Sequence, residues 1–225
     1  MTYIGDLAAL KALITGGLAA LNTRLDGVNT RLDKLAPVPP PVPPAPVIGP
    51  YPEIRPENAA ANKRVPTAAE LADWLAWVKA SDQGWWFGPF AERVTGNYTG
   101  TTEEILEWAA RKWEFDPDLA KAAAVRESTW RQATIGDGGE SWSILQVRRG
   151  VWGGYPLTRD STAFGADIWG AHTRCWLDGA GWFPGTAGSI RTAIACWFNP
   201  NDIGNSYADE VLGFLRDTPW RRAGF

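Results

Sequence analysis

The feature that most restricts this fold is a proline-rich segment at residues 36–56, which contains ten prolines. Proline has no backbone N–H and favours the extended polyproline II conformation, so the segment should not join a helix or a central strand. We expect a semi-rigid spacer with a reach of about 60 Å, at about 3.1 Å per residue. The 225-residue chain would then divide into a block at 1–35 and a larger one at 57–225. A proline-rich ligand for a peptide-binding domain is the alternative for this segment.

The block before the spacer has apolar residues in the alternating four- and three-residue steps of a coiled coil. One row is Ile4, Leu18, Leu25 and Leu32, interrupted by Lys11, and the other is Leu7, Ile14, Leu21, Val28 and Leu35. The sequence Asn-Thr-Arg-Leu-Asp at 22–26 recurs seven residues later at 29–33. Leucine in the first row with isoleucine and valine in the second favours three or four strands. We expect a homo-oligomeric stalk, trimeric or tetrameric, with a single amphipathic helix on another surface as the alternative.

Composition and motif searches argue against several classes of function. A net charge of −3 does not suit a nucleic-acid partner, which normally requires a basic surface. No stretch approaches the roughly 20 apolar residues of a membrane span. The first six residues lack a basic region followed by an apolar one, so we expect no signal peptide.

Metal and cofactor binding are also not expected. His172 is the only histidine, and no Cys-x-x-Cys pattern exists. We expect His172 at the surface or as a helix cap. Cys175 and Cys196 are compatible with a disulfide or with two buried thiols.

Helix signals dominate the block after the spacer. Two capping boxes, Thr67 with Glu70 and Thr101 with Glu104, each predict the start of a helix. A third helix is predicted from Asp116-Pro117 to Glu127, because proline suits a first helical turn. Further helices are expected near 162–178, 188–198 and 205–216, with a small β element around 134–148. The predicted fold class of 57–225 is therefore mainly α with a small β element.

The chemistry of this block centres on Glu127, which ends an apolar helical run beginning at Leu119. A glycine-rich turn at 136–139 follows, and then a short apolar stretch that ends at Gln146. A lone carboxylic acid in apolar surroundings can stay protonated near neutral pH and give its proton to a leaving sugar oxygen. The 14 tryptophans could fill a core or line a sugar-binding groove, since their flat faces suit the apolar faces of sugar rings.

These motifs resemble a known enzyme family. The pair Glu127-Ser128 and the segment at 143–147, Ser-Ile-Leu-Gln-Val, are similar to the catalytic core of the soluble lytic transglycosylases. That family belongs to the goose-type lysozyme-like superfamily. The wider context at 99–105, 136–139 and 160–164 is also similar to a group of phage and actinobacterial proteins of this superfamily. The resemblance covers about residues 95–216. Ser143 stands where the family usually has glycine, and Phe198-Asn199-Pro200-Asn201 replaces its usual Tyr-Asn-Ala-Gly.

The resemblance implies a lysozyme-like fold that cleaves the β-1,4 bond between N-acetylmuramic acid and N-acetylglucosamine in peptidoglycan. Glu127 would act first as general acid and then as base, and the product would be a 1,6-anhydro sugar. No cofactor is implied. The residues that would bind the glycan strand are Ser141, Trp142, Ser143, Gln146, Asn199 and Tyr207.

Two nearby acids keep a hydrolytic alternative open. Asp137 or Glu140 could activate a water for inverting hydrolysis if it faces Glu127 across a cleft. The simpler interpretation is that Asp137 closes its own turn and that Glu140 is a solvated loop acid. A non-catalytic glycan-binding or structural module is a further alternative.

The layout of stalk, spacer and lytic domain is typical of a component of a virion or injection-particle tail tip that acts at the bacterial cell wall. Its expected partners are peptidoglycan strands, further copies of the chain and other tail-tip proteins. An engineered display handle fused to a natural domain would give the same layout.

Overall fold

The structure, a computed structural model, describes residues 50–182 and 185–225. The predicted stalk at 1–35 and most of the predicted spacer lie outside the described residues. The α-helices are α1 (Ala68–Ala80), α2 (Gly84–Ala91), α3 (Thr102–Lys112), α4 (Leu119–Ser128), α5 (Arg149–Trp152), α6 (Leu157–Asp160), α7 (Thr162–Leu177), α8 (Ile190–Phe198) and α9 (Tyr207–Asp217). Short 3₁₀ helices occur at Pro56–Asn58, Ala61–Lys63, Asp137–Gly139 and Pro219–Arg221.

The strands form one small antiparallel sheet in the order β1 (Ile135–Gly136), β2 (Ser141–Trp142), β3 (Val147–Arg148). Ile135 lies opposite Trp142, and Ser141 lies opposite Arg148. The described chain is therefore mainly α with a small β element, as the helix and turn signals predict. In the described ranges, no helix combines the length and the apolar character needed to cross a bilayer.

Both predicted capping boxes are present. The Thr67 hydroxyl accepts the Glu70 N–H at 3.2 Å, and the Glu70 carboxylate accepts the Thr67 N–H at 2.8 Å. Thr101 and Glu104 make the same reciprocal pair at 3.3 and 2.8 Å. Each box satisfies two backbone donors that a helix start leaves free, which is why α1 and α3 begin where the sequence signals them.

The core is organised around α7, which is buried along almost its whole length. It packs against α2, α3 and α8, while α4 packs between α3 and α9. Small residues on α4, including Ala122, Ala123 and Ala124, are fully buried and allow these neighbours to approach closely. This packing brings the C-terminal end of α4 next to the start of α9.

Two local features differ from the sequence-based expectations. Helix α2 begins at Gly84, and the helix signals in the sequence did not predict it. A Cβ at Gly84 would lie 2.5 Å from the Lys79 carbonyl oxygen, so glycine allows the chain to turn tightly between α1 and α2. Helix α4 begins at Leu119 rather than at Pro117, because the Asp116 carboxylate accepts the Asp118 N–H at 2.9 Å in a preceding turn.

The prediction of a surface or capping His172 is wrong. His172 is 1 % exposed, and its Nε2 accepts the indole N–H of Trp176 at 2.7 Å. Trp176 lies one helical turn further along α7, so the two rings are neighbours on one helix face. Burial lowers the pKa of His172 to about 3, and the imidazole is therefore neutral at physiological pH.

Candidate active site

Glu127 lies in the last turn of α4, where the backbone reverses in an unusual way. Thr129 and Trp130 both have positive φ, at 53° and 63°. Their N–H groups bond the carbonyls of Val125 and Ala124 at 3.1 and 3.3 Å and so close the helix. Positive φ costs of order 1–3 kcal/mol for a non-glycine residue and is concentrated at functional sites.

Two polar side chains fix this helix end to the segment at 143–147. The Ser128 hydroxyl donates to the Ile144 carbonyl at 2.8 Å and accepts the Arg131 N–H at 3.1 Å. The buried Gln132 accepts the Ile144 N–H at 3.2 Å and donates to the Thr158 carbonyl at 3.1 Å. The Glu-Ser pair in the sequence thus combines an acid with the residue that positions its helix end.

Tyr207, the first residue of α9, faces Glu127. Its hydroxyl donates to the Glu127 Oε1 at 2.5 Å. The Tyr207 side chain is buried and stacks on Phe198, with ring centroids 5.5 Å apart. Burial, together with the nearby Glu127 charge, raises the pKa of Tyr207 well above its usual value, so the hydroxyl remains a donor.

The surroundings of Glu127 favour its protonated form. Burial is the main cause, and it raises the pKa of Glu127 to about 7. The bond from Tyr207 and the charge of Arg126 oppose this rise, while the negative charge of Asp137 adds to it. Arg126 is engaged elsewhere, because its guanidinium pairs with Glu210. A carboxyl group with a pKa near 7 can both give and take a proton at neutral pH.

Glu127 opens into a cleft of about 690 Å³. Its aromatic lining consists of Trp86, Trp152, Trp182, Trp197 and Phe198. The rings of Trp152 and Trp197 are nearly parallel, with centroids 5.8 Å apart, and the Trp197 indole N–H donates to the Leu145 carbonyl at 3.1 Å. The remaining lining is largely polar and includes Gln83, Arg126, Asp137, Ser141, Gln146, Arg148 and Asn199.

The structure brings most of the predicted site residues together. Glu127, Asp137, Ser141, Gln146 and Asn199 all line the cleft, and Tyr207 is bonded to Glu127 behind it. Asp137 is exposed and accepts the Ser141 hydroxyl at 2.5 Å, which links it to the start of β2. It is the one other acid in the lining contributed by the described residues.

Three predicted residues lie away from the cleft lining. Trp142 donates its indole N–H to the Gly139 carbonyl at 2.9 Å and packs against Tyr155. Ser143 is fully buried beneath α7. Glu140 forms an ion pair with Arg149 at 2.6 Å.

Gln146 lines the cleft, but part of its hydrogen-bonding capacity is already used within the protein. Its amide nitrogen donates to the carbonyls of Thr134 and Ser143, at 3.1 and 2.7 Å. Its side-chain oxygen lies against Gly136, where a Cβ would come within 2.3 Å. Gln146 therefore holds the β element in place, and toward a ligand it offers an acceptor rather than a donor.

Sequence reasoning did not single out Trp152, Trp197 or His172 as part of the site. The rings of Trp152 and Trp197 both lie edge-on to His172, at 4.8 and 5.0 Å between centroids. The high tryptophan content was the available signal, but nine of the tryptophans are buried and their role cannot be read from composition.

Cys175 and Cys196 are separate buried thiols. Burial raises the pKa of Cys175 to about 12 and that of Cys196 to about 11, so neither is a ready nucleophile. Within residues 50–182 and 185–225, no group of three or more His, Cys, Asp or Glu side chains is placed to hold a metal ion.

The site thus combines one carboxyl group of raised pKa, a tyrosine donor bonded to it and a cleft with aromatic walls. This arrangement is suited to acid–base chemistry on a ligand with both apolar faces and polar edges. Comparisons with protein-family models, with curated proteins and with solved structures found no match.

Proposed function

We propose that the block at 57–225 is a peptidoglycan lytic transglycosylase domain with a lysozyme-like fold. The observation that carries this proposal is Glu127, whose pKa is about 7 in a cleft lined by tryptophans. An acid that must protonate a leaving sugar oxygen near neutral pH needs this property. The Glu-Ser pair and the segment ending at Gln146 supply the choice of substrate through their resemblance to the family.

In the proposed reaction, protonated Glu127 donates to the glycosidic oxygen as the bond from the muramic acid C1 to that oxygen breaks. The muramyl acetamido group stabilises the positive charge that develops at C1. The Glu127 carboxylate then removes the proton from the C6 hydroxyl, and O6 bonds to C1. The acid is regenerated, no water is consumed, and the product ends in 1,6-anhydromuramic acid.

Tyr207 has a defined part in this cycle. Its hydroxyl, 2.5 Å from Glu127, stabilises the carboxylate that exists between the two proton transfers. Burial acts in the opposite direction and stabilises the protonated form at the start. The balance of the two keeps the pKa close to neutral pH, as one residue acting as both acid and base requires.

An inverting muramidase is the second candidate, because Asp137 lines the same cleft as Glu127. Asp137 would then activate a water on the far face of the sugar, and the product would have a reducing end. Glu140 is the matched control acid, since it lies outside the lining and pairs with Arg149.

The test is mass spectrometry of the soluble products released from purified peptidoglycan. We expect 1,6-anhydromuramic ends from the native chain and from Asp137→Asn and Glu140→Gln, and none from Glu127→Gln. Reducing ends that vanish in Asp137→Asn would instead establish hydrolysis. If even the native chain released nothing from walls of several bacteria, the proposal of an enzyme would be wrong and a glycan-binding module would take its place.

We also propose that residues 1–35 form a trimeric or tetrameric coiled coil, that 36–56 act as a spacer, and that the assembly sits on a virion or injection-particle tail tip. Support comes from the heptad pattern and the proline content. Analytical ultracentrifugation of the full chain should give three or four times the monomer mass. Proteomics of purified particles should detect the chain, and its absence would contradict the tail-tip location.

A further inference from the structure

A second, shallower depression adjoins the cleft on the side formed by the start of α2. It has a volume of about 220 Å³ and is lined by Asp82, Gln83, Trp85, Trp86 and Trp182. Three of these residues, Gln83, Trp86 and Trp182, also line the cleft that contains Glu127. The two cavities are therefore parts of one continuous surface.

The depression displays an unusual amount of exposed aromatic surface. Trp85 is 72 % exposed, whereas the next residue, Trp86, is 3 % exposed. Successive residues on a helix point about 100° apart, so α2 buries one indole and presents the other to solvent. Removing a tryptophan from water is strongly favourable, and leaving one exposed beside a polar rim is typical of a binding surface.

Trp182 provides the second exposed ring, and its position is fixed from beneath. It is 43 % exposed, and its ring lies 4.9 Å from those of both Trp86 and Trp176 in edge-to-face contacts. Both supporting rings are buried. Trp182 is thus held as a rigid aromatic platform, and little side-chain entropy would be lost when a ligand packs on it.

The chemistry of the depression identifies its occupant. Flat indole faces beside the carboxylate of Asp82 and the amide of Gln83 offer one apolar surface together with hydrogen-bonding groups at its edge. A sugar ring has this same division, with an apolar face and a rim of hydroxyls. A folded protein partner would need about 800 Å² on this chain, far more than one shallow depression provides.

We propose that Trp85 and Trp182 form a distal sugar-binding subsite, which holds a further unit of the glycan strand whose scissile bond lies at Glu127. This inference rests on the proposed function and deepens it. The continuity of the two cavities makes the strand itself the ligand, so the subsite should be filled only when the strand is long enough. The domain would then favour long glycan strands over short fragments.

The test is isothermal titration calorimetry on the full chain with Glu127→Gln, which prevents turnover. The ligands are a series of N-acetylglucosamine oligosaccharides and glycan strands of increasing length. Adding Trp85→Ala should weaken binding of the longest ligands by about fivefold or more and leave the shortest that bind unchanged. Trp85→Phe should restore most of the loss, because it retains a flat ring.

Trp77→Ala is the matched control. Trp77 is 39 % exposed on α1 and lines neither the cleft nor the depression. Thermal unfolding of each variant verifies that it is folded. Trp182→Ala is a second variant that should also weaken binding of the longest ligands. Since Trp182 lines the cleft as well, the restriction to long ligands is tested with the Trp85 variants.

The outcomes separate the two proposals. If oligosaccharides bind but Trp85→Ala and Trp182→Ala leave every affinity unchanged, the distal subsite is wrong and the proposed function stands. A loss in Trp85→Ala that is equal at all ligand lengths, or one that Trp77→Ala reproduces, also contradicts the subsite. If no saccharide of any length binds, the distal subsite and the glycan substrate are both overturned.

Discussion

Two ionisable groups of helix α4 lie in very different surroundings, Lys121 near its start and Glu127 near its end. Lys121 is fully buried, and its ammonium contacts the carboxylates of Glu103, Glu107 and Asp118 at 3.1, 3.0 and 2.8 Å. Burial lowers the pKa of Lys121, but its bonds to Asp118 and Glu107 outweigh burial and raise that pKa overall. Among the described residues Glu127 has no such direct counter-ion, and burial prevails in raising its pKa.

The Lys121 end of α4 contributes to the structure, whereas the Glu127 end is suited to proton exchange. Around Lys121 the charges neutralise each other and connect distant parts of the chain. Tyr51 donates to Glu107 at 2.9 Å, and Arg221 pairs with Glu103 at 2.7 Å, so the residues that precede and follow the helical core are both attached there. At Glu127 the charge of the carboxylate is only partly compensated by its neighbours, so the group can gain and lose a proton near neutral pH.

The largest expected effect comes from breaking the Lys121 cluster. Lys121→Met should destabilise the fold by about 3–5 kcal/mol, because it removes the buried cation that Glu103, Glu107 and Asp118 share. Burial raises the pKa of Glu107, but bonds from Lys121 and Arg111 outweigh it and lower that pKa overall. A carboxyl with a lowered folded pKa stabilises the fold above its unfolded pKa, and this contribution is lost as the pH falls. The loss in Lys121→Met, measured by urea unfolding, should therefore shrink in acid.

The control for this prediction is Lys79→Met. Lys79 pairs with Glu92 at 2.7 Å, but both side chains are more than half exposed. Exposed pairs contribute about 0–1 kcal/mol, so this variant should unfold close to the native chain. Equal losses in the two variants would contradict the role assigned to the buried cluster.

The next effect concerns the cost of ionising Glu127. Its folded pKa of about 7 lies above the ordinary 4.5, so the native state holds its proton more tightly than the unfolded state. Stability should fall as the pH rises between these two values. Glu127→Gln removes this penalty and should gain about 3 kcal/mol above pH 7, with almost no gain below pH 4.5. Thermal unfolding across this pH range measures the gain in stability. A gain independent of pH would show that the pKa of the Glu127 carboxyl group is not raised.

Tyr207→Phe changes the surroundings of Glu127 and leaves the Lys121 cluster unchanged. The variant loses the hydroxyl that donates to Glu127 at 2.5 Å. In the native chain this hydrogen bond lowers the pKa of Glu127. We expect the pKa of Glu127 to rise further and turnover at neutral pH to fall about tenfold, or roughly 1.4 kcal/mol. The pH profile of peptidoglycan release should move to higher pH. A reduced rate with an unmoved profile would mean that Tyr207 serves only packing.

The smallest effect is expected at Ser128, which positions the helix end. Ser128→Ala removes its bond to the Ile144 carbonyl and should cost about 1 kcal/mol in urea unfolding. Ser206→Ala, at an exposed hydroxyl that bonds Glu210, is the control and should cost less. If the two variants were equally stable, the link between α4 and the segment at 143–147 would be unimportant.

Local signals explain which parts of the fold the sequence predicts well. The capping boxes at Thr67 and Thr101 act over three residues, and the helices they start are present. The corner at Gly84 and the start of α2 were not predicted, because they depend on the close approach of two helices rather than on local preference. The burial of His172 was missed for a related reason, since its partners Trp86, Trp152 and Trp197 come from three different segments.

The sequence by itself determined that an acid and then a serine end α4 and that a short β element comes next. These features depend on helix length, side-chain chemistry and turn residues, all of which act within a few positions. Only the tertiary structure decided which groups surround Glu127. Tyr207 lies 80 residues away in the chain, and the cleft brings tryptophans from separate elements to one surface. The raised pKa of Glu127 is a consequence of that burial, because desolvation exists only once distant segments have packed together and excluded water.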